Sequence, residues 1–253
     1  MEKPFITAIV TGAGLGTRMG GKKNKMLIEI DGGRVLQRTL MALYRSDVFD
    51  FFVVVVKEDI LETVKTDILP QVFGENFSRV AVCLGGVTRQ DSVKQGLLHL
   101  PEETDLVAVH DGARPFVTTA VVRRTVHRVL QGDVDGAIAA VPMKDTVKMC
   151  YDDGVIRNTP NRSQLFAAQT PQVFRKETIL QAYERAIWEE IPITDDAQMV
   201  EIFGGRVATV AGDEGNIKIT TPSDLLFGER ILMERDETMG EDHETDVSDW
   251  HRL

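Results

Sequence analysis

A glycine-rich segment that also carries a run of cations follows directly on the first strand-like run of the chain. It extends from Thr11 to Lys25 and reads TGAGLGTRMGGKKNK. Glycines after a strand let backbone N–H groups approach phosphate oxygens. Four cations within eight positions can neutralise phosphate charge, namely Arg18, Lys22, Lys23 and Lys25. The segment therefore favours a triphosphate-binding loop over a merely solvated basic turn.

Two common phosphate-binding fingerprints each fail in this segment by one residue. A dinucleotide fingerprint G-x-G-x-x-G that begins at Gly14 requires a glycine where Met19 stands. A Walker motif that begins at Gly16 requires a serine or threonine where Lys23 stands. The loop is thus a phosphate loop of another kind.

A second candidate turn, LGGVTRQDSV, ends the third strand-like run at residues 84–93. Gly85 and Gly86 permit a close backbone approach, and Thr88 followed by Asp91 is a capping-box pattern that begins a helix. If the strands are parallel, this turn lies at the same edge of the sheet as the first loop. Its backbone and Ser92 can then hold a base or a ribose; a plain helix cap is the alternative.

The fourth strand-like run ends in a carboxylate and a guanidinium, in the sequence VHDGARPF at residues 109–116. Asp111 suits Mg²⁺, which takes a carboxylate together with phosphate oxygens and water. Arg114 suits an anionic group of a substrate. The alternative interpretation is a structural ion pair between these two residues.

Short apolar runs alternate with amphipathic stretches, which predicts an α/β fold: a doubly wound, mostly parallel sheet between two layers of helices. The expected strands are Phe5–Val10, Phe51–Val56, Arg79–Leu84, Leu106–His110 and Ala137–Val141, with a later one at Val207–Val210. Helix-like stretches are Leu36–Tyr44, Asp59–Leu69, Asp91–Leu100, Thr119–Leu130, Glu177–Trp188, Asp196–Phe203 and a last one after Pro222.

Residues 141–165 interrupt this alternation with two strand-like arms around Asp152, Asp153 and Gly154. Asp-Gly between such arms is a hairpin signal. An isolated hairpin is marginally stable in water, so these arms must pack against something. Two interpretations remain: an edge hairpin on the parent sheet, or an arm that embraces a second subunit.

The charge of the chain is unevenly distributed. The 253 residues carry a net charge of -10, but residues 236–253 alone hold seven acidic residues and one basic residue, which leaves -4 for residues 1–235. We therefore expect one folded domain over 1–235 and an acidic, disordered tail over 236–253. An acidic chain disfavours nucleic-acid binding. Two distant cysteines, no apolar run of membrane-spanning length and a strand-like N-terminus predict a cytoplasmic protein that binds no membrane.

Seven motifs, taken together and in order, resemble the family of 2-C-methyl-D-erythritol 4-phosphate cytidylyltransferases of the non-mevalonate isoprenoid pathway. They are GAGLGTRMG, GGVTRQDSV, HDGARPFVT, VPMKDTVK, AAQTPQVF, ITDDA and GNIKITTPSDL. The resemblance covers about residues 5–230. It implies a nucleotidyltransferase that joins CTP to 2-C-methyl-D-erythritol 4-phosphate with Mg²⁺ and releases pyrophosphate.

The resemblance also implies roles for individual residues. The catalytic residues would be Arg18, Lys25, Asp111 and Lys218, with Asp111 also serving the metal. CTP would contact Ala13, Gly14, Gly16, Gly85, Gly86 and Ser92. The methylerythritol phosphate would contact Arg114, Thr170, Thr194 and Lys218 of one subunit and Thr146 and Arg162 of the other, because the family is a homodimer with a projecting arm.

One departure from the family pattern concerns the catalytic lysine. The family usually has Pro-Lys-Gln where this chain has Asn24-Lys25-Met26, so Lys25 is retained without its stiff neighbour.

Three other functions compete with this interpretation. A cytidylyltransferase for another polyol phosphate, such as ribitol 5-phosphate, would share the architecture. A silent sugar-phosphate-binding protein would lack Lys25 or Asp111. An NAD-dependent short-chain reductase would need a Tyr-x-x-x-Lys pair, and the chain has none.

Overall fold

The computed structural model describes residues 3–14, 24–189 and 193–239, and in it a seven-stranded sheet forms the centre of the molecule. In chain order its strands are β1 (Ile6–Thr11), β4 (Phe51–Val56), β5 (Val80–Leu84), β6 (Leu106–Asp111), β7 (Gly136–Pro142), β10 (Phe166–Arg175) and β11 (Val207–Ala211). Their spatial order is β11-β7-β10-β6-β1-β4-β5. Only β10 of these seven strands runs antiparallel to its neighbours. Two short pairs, β2 (Glu29–Ile30) with β3 (Gly33–Arg34) and β8 (Met149–Cys150) with β9 (Ile156–Asn158), complete the strands of the described residues.

Helices cover both faces of the sheet, as predicted. The helices are α1 (Val35–Arg45), α2 (Glu58–Thr63), α3 (Leu69–Phe73), α4 (Arg89–Leu97), α5 (Thr119–Leu130), α6 (Lys176–Glu189), α7 (Asp196–Ile202) and α8 (Pro222–Met239). Apolar residues of α1, α2, α3 and α5 pack with Ala8 and Val10 of β1, whereas those of α4, α6 and α7 pack with Ile9. Since successive side chains of a strand point to opposite faces, these are the two helical layers of a doubly wound sandwich.

The long strand β10 is the element that the periodicity analysis missed. Its middle carries Pro171, which argues against a central strand, among the polar residues Gln169, Thr170 and Gln172. The strand nevertheless lies between β6 and β7, and its pairing with β7 shifts in register between Ala168 and Gln172. Such irregularities redirect side chains and are frequent beside functional sites.

The predicted hairpin is present, and it does not join the parent sheet. Strands β8 and β9 form a separate two-stranded sheet within residues 143–165, the segment between β7 and β10 that we call the arm. Gly154 adopts φ 84° in the turn, a conformation that glycine tolerates without strain. The interpretation as an edge hairpin on the parent sheet is therefore wrong.

The last helix extends beyond the boundary that composition suggested. Helix α8 ends at Met239 and so includes the first four residues of the expected tail, 236–239. Charge content alone does not end a helix, because acidic side chains are compatible with helical backbone. The remaining acidic residues, 240–253, lie outside the described residues. No helix among the described residues is long and apolar enough to cross a membrane.

Candidate active site

The two glycine turns predicted to hold the nucleotide meet at the carboxyl ends of β1, β4 and β5. The N–H of Gly12 donates to the carbonyl of Val55 at 2.7 Å, and that of Gly85 donates to the carbonyl of Val56 at 2.8 Å. A Cβ atom at position 85 would lie 2.3 Å from the Cβ of Ala13 and 2.8 Å from the Oγ of Ser92. Only glycine allows this approach.

Those of the expected nucleotide-binding residues that the structure describes lie at this edge of the sheet. Ala13, Gly85 and Ser92 lie together, and Gly86 packs so closely on Asp91 that a Cβ there would lie 2.2 Å from the Cβ of Asp91. Among the residues that the structure describes, none has an atom within 4 Å of the place that a Cβ at Gly14 would occupy. Gly16 and Arg18 lie outside the described residues.

The Thr88–Asp91 capping box begins α4, as the sequence predicted. The N–H of Asp91 donates to the Oγ1 of Thr88 at 3.0 Å, and the N–H of Thr88 donates to the carboxylate of Asp91 at 3.0 Å. The hydroxyl of Ser92 donates to the carbonyl of Thr88 at 2.9 Å. The helix cap is thus confirmed, and the same cap fixes the turn that carries Gly85 and Gly86.

Lys25 begins a short helical turn, Lys25–Leu27, that is anchored on both sides of the lysine. The N–H of Met26 donates to the Oδ1 of Asn24 at 3.1 Å, and the Nδ2 of Asn24 donates to the carboxylate of Asp59 at 3.2 Å. The side chain of Met26 is buried near Gly12. Asn24 therefore supplies, through its side chain, a constraint at the position where the family usually has proline.

Three cationic side chains converge on the carboxylate of Asp111. The Nζ of Lys218 lies 2.8 Å from Oδ2, the Nε of Arg114 lies 3.4 Å from Oδ2, and the Nε of Arg89 lies 3.5 Å from Oδ1. The backbone N–H of Asp111 donates to the Oγ1 of Thr170 at 3.1 Å. The ion pair between Asp111 and Arg114 that we considered as a structural alternative exists, and it belongs to this larger cluster.

The electrostatics of Asp111 follow from the same neighbours. Burial alone would raise the pKa of its carboxyl, but the attraction of Lys218, Arg89 and Arg114 outweighs burial and holds the pKa well below its usual range. Asp111 is therefore ionised at any physiological pH. Asp195 lines the cavity and Asp196 pairs with Arg89, so the charges of the cluster balance. What the cavity offers an anionic substrate is therefore the N–H donors of Lys218 and Arg114 and not a net positive charge.

A cavity of about 260 Å³ opens over this cluster. It is lined by Arg89, Asp111, Arg114, Ala168, Gln169, Thr170, Gln172, Thr194, Asp195 and Lys218. The structure thus brings together Asp111 and all four residues expected to contact the substrate from one subunit, namely Arg114, Thr170, Thr194 and Lys218.

The other two expected contacts lie elsewhere in the chain. Thr146 and Arg162 are exposed residues of the arm, and neither lines the cavity. The guanidinium of Arg162 donates to the carbonyl of Lys144 at 2.8 Å, within the arm itself.

Thr194, which the resemblance assigns to the substrate, directly precedes the cap of α7. The cap of α7 is Asp195, whose carboxylate accepts from the N–H of Gln198 at 2.9 Å. The hydroxyl of Thr194 donates instead to the Oε1 of Gln198 at 2.9 Å. Its oxygen keeps lone pairs for a hydrogen bond from a ligand.

Several residues that support the cavity were not singled out from the sequence. Arg89 bridges Asp111 and Asp196, its NH2 group lying 2.6 Å from the Oδ2 of Asp196. Gln172 accepts from the N–H groups of Asp196 and Ala197, both at 3.1 Å, and so fixes the start of α7. Arg89 lies in the GGVTRQDSV motif and Gln172 in AAQTPQVF. The motifs predicted which segments form the site, but the residue types alone do not predict which side chains point into the cavity.

One carboxylate at the cavity, Asp111, is of the kind that binds Mg²⁺ together with phosphate oxygens. Within the described ranges, no group of three or more His, Cys, Asp or Glu side chains can hold a metal. Mg²⁺ is nonetheless commonly bound by one carboxylate together with phosphate oxygens and water, and Asp111 is such a carboxylate.

A doubly wound sheet, two glycine turns at its carboxyl edge and an adjoining cavity with three cationic side chains are the arrangement of a nucleotidyltransferase. The model of one such family, described as 2-C-methyl-D-erythritol 4-phosphate cytidylyltransferase (IspD), matches residues 6–234. The enzyme of that name from Geobacter metallireducens is 39% identical over 234 residues, which span 91% of this chain and 98% of the relative. The one from Geotalea uraniireducens is 41% identical over 230 residues, which span 90% and 96%.

Solved structures agree with the sequence comparisons. The crystal structure of 4-diphosphocytidyl-2C-methyl-D-erythritol synthase from Anaerococcus prevotii superposes with a TM-score of 0.80 at 35% identity, over 91% of this chain and 99% of that one. The cytidylyltransferase from Thermus thermophilus gives 0.72 at 26% identity, over 90% and 99%. The chain belongs to the 2-C-methyl-D-erythritol 4-phosphate cytidylyltransferase family. Its reaction is therefore the transfer of a cytidylyl group from CTP to that phosphate in isoprenoid biosynthesis, and neither ribitol phosphate transfer nor hydride transfer gains support.

Proposed function

We propose that the cavity over Asp111 binds the methylerythritol phosphate and that the adjoining glycine turns bind CTP. The observation that carries this proposal is the convergence of Lys218, Arg114 and Arg89 on one buried carboxylate beside the nucleotide edge. Phosphate oxygens that enter the cavity can replace the carboxylate of Asp111 as the ionic partners of these cations. Asp111 then holds the cations in place while the site is empty.

In this assignment the protein supplies positions and charge, and the substrates supply the reacting atoms. A phosphate oxygen of methylerythritol phosphate attacks the α-phosphorus of CTP. The new O–P bond forms as the bond from the α-phosphorus to its bridging oxygen breaks, and pyrophosphate leaves with that electron pair. No protein nucleophile is required. Arg18 and Lys25 neutralise the α-phosphate and the leaving group, and Lys218 and Arg114 hold the attacking phosphate.

The proposal includes Mg²⁺, carried by the triphosphate and held by Asp111. When bound, the ion neutralises phosphate charge and polarises the α-phosphate. A chain with a net charge of -10 that must bring two anions together benefits from every local cation.

The proposal also includes a homodimer in the cytoplasm. The arm leaves Met149, Tyr151, Val155 and Ile156 exposed, which is unfavourable for a lone hairpin in water. A second chain can cover these residues and receive Thr146 and Arg162 at its own cavity. Each site would then be built from two chains.

Pyrophosphate release from CTP tests the substrate and metal assignments together. We expect turnover with methylerythritol phosphate in the presence of Mg²⁺, little with ribitol 5-phosphate, and loss of turnover in excess EDTA that is restored by added Mg²⁺. Comparable rates with both polyol phosphates would refute the substrate preference. Analytical ultracentrifugation tests the dimer, which a monomer at micromolar concentration would exclude.

A further inference from the structure

His110 lies directly beneath the substrate cavity and has no role in the reaction described above. It is the fifth residue of β6, immediately before Asp111, and its side chain is fully buried. Its ring contacts two residues that line the cavity. Nδ1 lies 3.1 Å from the Oγ1 of Thr170, and Nε2 lies 3.3 Å from the backbone carbonyl oxygen of Arg114.

The direction of each hydrogen bond follows from the groups that face the ring. The carbonyl of Arg114 can only accept, so Nε2 must carry a proton and donate. The backbone N–H of Asp111 can only donate, so the Oγ1 of Thr170 accepts it at 3.1 Å. The ring is fully buried, and its two hydrogen-bond partners, a hydroxyl and a carbonyl, are uncharged, so we take the imidazole as neutral, with one donor and one acceptor. Nδ1 is then the acceptor, and the hydroxyl proton of Thr170 points at it.

The opposite neutral tautomer does not fit these contacts. With the proton on Nδ1, the lone pair of Nε2 would face the lone pairs of the Arg114 carbonyl at 3.3 Å, which is repulsive. The contacts on both sides of the ring therefore select one arrangement.

This arrangement determines what Thr170 can offer a ligand. Its hydroxyl proton is committed to His110, and one of its two lone pairs is committed to the N–H of Asp111. The remaining lone pair can accept a hydrogen bond but offers no proton to a phosphate oxygen. Since Thr170 lines the cavity, its partner there must be a donor, and the hydroxyl groups of a polyol are donors.

We propose that His110, as a neutral imidazole protonated on Nε2, is a positioning residue that makes Thr170 an acceptor for a hydroxyl group of the polyol substrate. This inference rests on the proposed placement of the polyol phosphate in the cavity. It assigns the Thr170 side of the cavity to polyol hydroxyls and leaves the phosphate to Arg114 and Lys218.

Nitrogen-15 NMR of the histidine rings in the wild-type enzyme tests the tautomer directly. The chain has five histidines, and the His110 signals are identified by their loss in His110→Gln. At neutral pH we expect Nδ1 at the chemical shift of an unprotonated ring nitrogen and Nε2 at that of a protonated one. A proton on Nδ1 would overturn the proposal, whatever the substrate.

Kinetics test whether His110 acts through Thr170. His110→Gln keeps a donor for the Arg114 carbonyl but loses the acceptor for Thr170. We expect it to raise the KM for methylerythritol phosphate about tenfold and to leave the KM for CTP nearly unchanged. His110→Asn, whose amide oxygen can replace Nδ1, should restore part of the loss. Equal effects on both KM values would show a general structural role and overturn the proposal.

A double-mutant cycle with Thr170→Val completes the test. If His110 acts through Thr170, the effects of the two substitutions on the KM for methylerythritol phosphate are not additive. Additive effects would overturn the proposal. If Thr170→Val alone leaves that KM unchanged while NMR shows the expected tautomer, the cavity assignment fails and the assignment of the ring protons stands.

Discussion

The substrate cavity and the arm are built in opposite ways. In the cavity, Asp111 and Thr170 are 7% and 3% exposed, and each has hydrogen-bond or ionic partners from distant parts of the same chain. In the arm, Met149, Tyr151, Val155 and Ile156 are 46–58% exposed. The arm has local bonds, such as that from the Nζ of Lys148 to the Oγ1 of Thr159 at 2.8 Å.

This difference shows that one chain organises its own substrate cavity but leaves the apolar side chains of its arm without packing partners among the described residues. The cavity is already organised, because burial and paired charges fix its side chains before any substrate arrives. The arm is a hairpin whose apolar side chains have not been removed from water. If a second chain covers them, the arm gains its packing, and the cavity of that second chain gains Thr146 and Arg162.

The largest expected effect comes from removing a cation from the cavity. We expect Lys218→Met to lower kcat/KM by about 10²–10³, the usual cost of losing one preorganised electrostatic group. Methionine keeps the length and the apolar stem of the side chain, and Lys65→Met, an exposed lysine of the segment between α2 and α3, is the matched control. Steady-state pyrophosphate release measures both variants. Near-parent activity of Lys218→Met would show that the cluster on Asp111 is structural only.

The next effect concerns the stability of the cavity floor at low pH. Burial lowers the pKa of His110 to about 4, against an ordinary value of about 6.5 in the unfolded chain. The unfolded chain therefore binds a proton in a pH range where the folded chain does not. This difference leaves the folded state unaffected above about pH 6.5 and destabilises it progressively down to about pH 4, by roughly 3 kcal/mol in all.

Urea unfolding of the wild type and of His110→Gln at pH 7 and pH 4.5 measures this contribution. We expect the free energy of unfolding to fall more steeply with pH in the wild type than in the variant. Asp111 does not obscure the result, because both proteins contain it and its contribution falls only below the ordinary carboxyl pKa of about 3.9. Parallel pH dependences in the two proteins would contradict the prediction.

Much of the fold was accessible from the sequence because local and global signals agree. The run FFVVVV became β4, whose last five residues are fully buried, and the Thr88–Asp91 pair became the cap of α4. Strand β10 was missed because its position depends on pairing with β6 and β7, which are distant in sequence. Its polar residues are tolerated inside because they have partners there: the Nε2 of Gln169 donates to the carbonyl of Asp213 at 2.8 Å.

The site was accessible in a different way. Glycine turns and charged residues after strands predicted the edge at which it lies, and the family resemblance assigned individual residues. Neither predicted that Arg89 would bridge two carboxylates or that His110 would support Thr170. Those facts depend on which side chains of α4 and β6 turn towards the cavity, and on the shift in register of β10, and only the assembled sheet determines them.

A smaller effect on activity is expected from a substitution in the arm, and mixing two variants tests whether the arm acts on the other chain. Arg162→Met should lower kcat/KM about tenfold, because the guanidinium would serve a cavity that already has its own cations. If the arm of one chain completes the cavity of another, mixing Arg162→Met with Lys218→Met restores activity, since every mixed dimer carries one intact site. We expect up to about half of the dimers in an equal mixture to be mixed. Mass spectrometry first shows that the subunits have exchanged. If activity then does not recover, each chain completes its own site.

The smallest effect on activity, and the most direct contrast between the two regions, involves the two cysteines. Cys83 is buried in β5, where burial raises the pKa of its thiol to about 11, so that only about a thousandth is thiolate at pH 8. Cys150 is exposed in β8. We therefore expect the Cys150 thiol to react rapidly with a colorimetric disulfide reagent in dilute native protein, and the Cys83 thiol to react only in denaturant. Cys150→Ser should abolish the fast reaction and leave turnover nearly unchanged. Two fast thiols would mean that the sheet opens around Cys83, whereas a slow Cys150 that becomes fast as the protein is diluted would show that a second chain covers the arm.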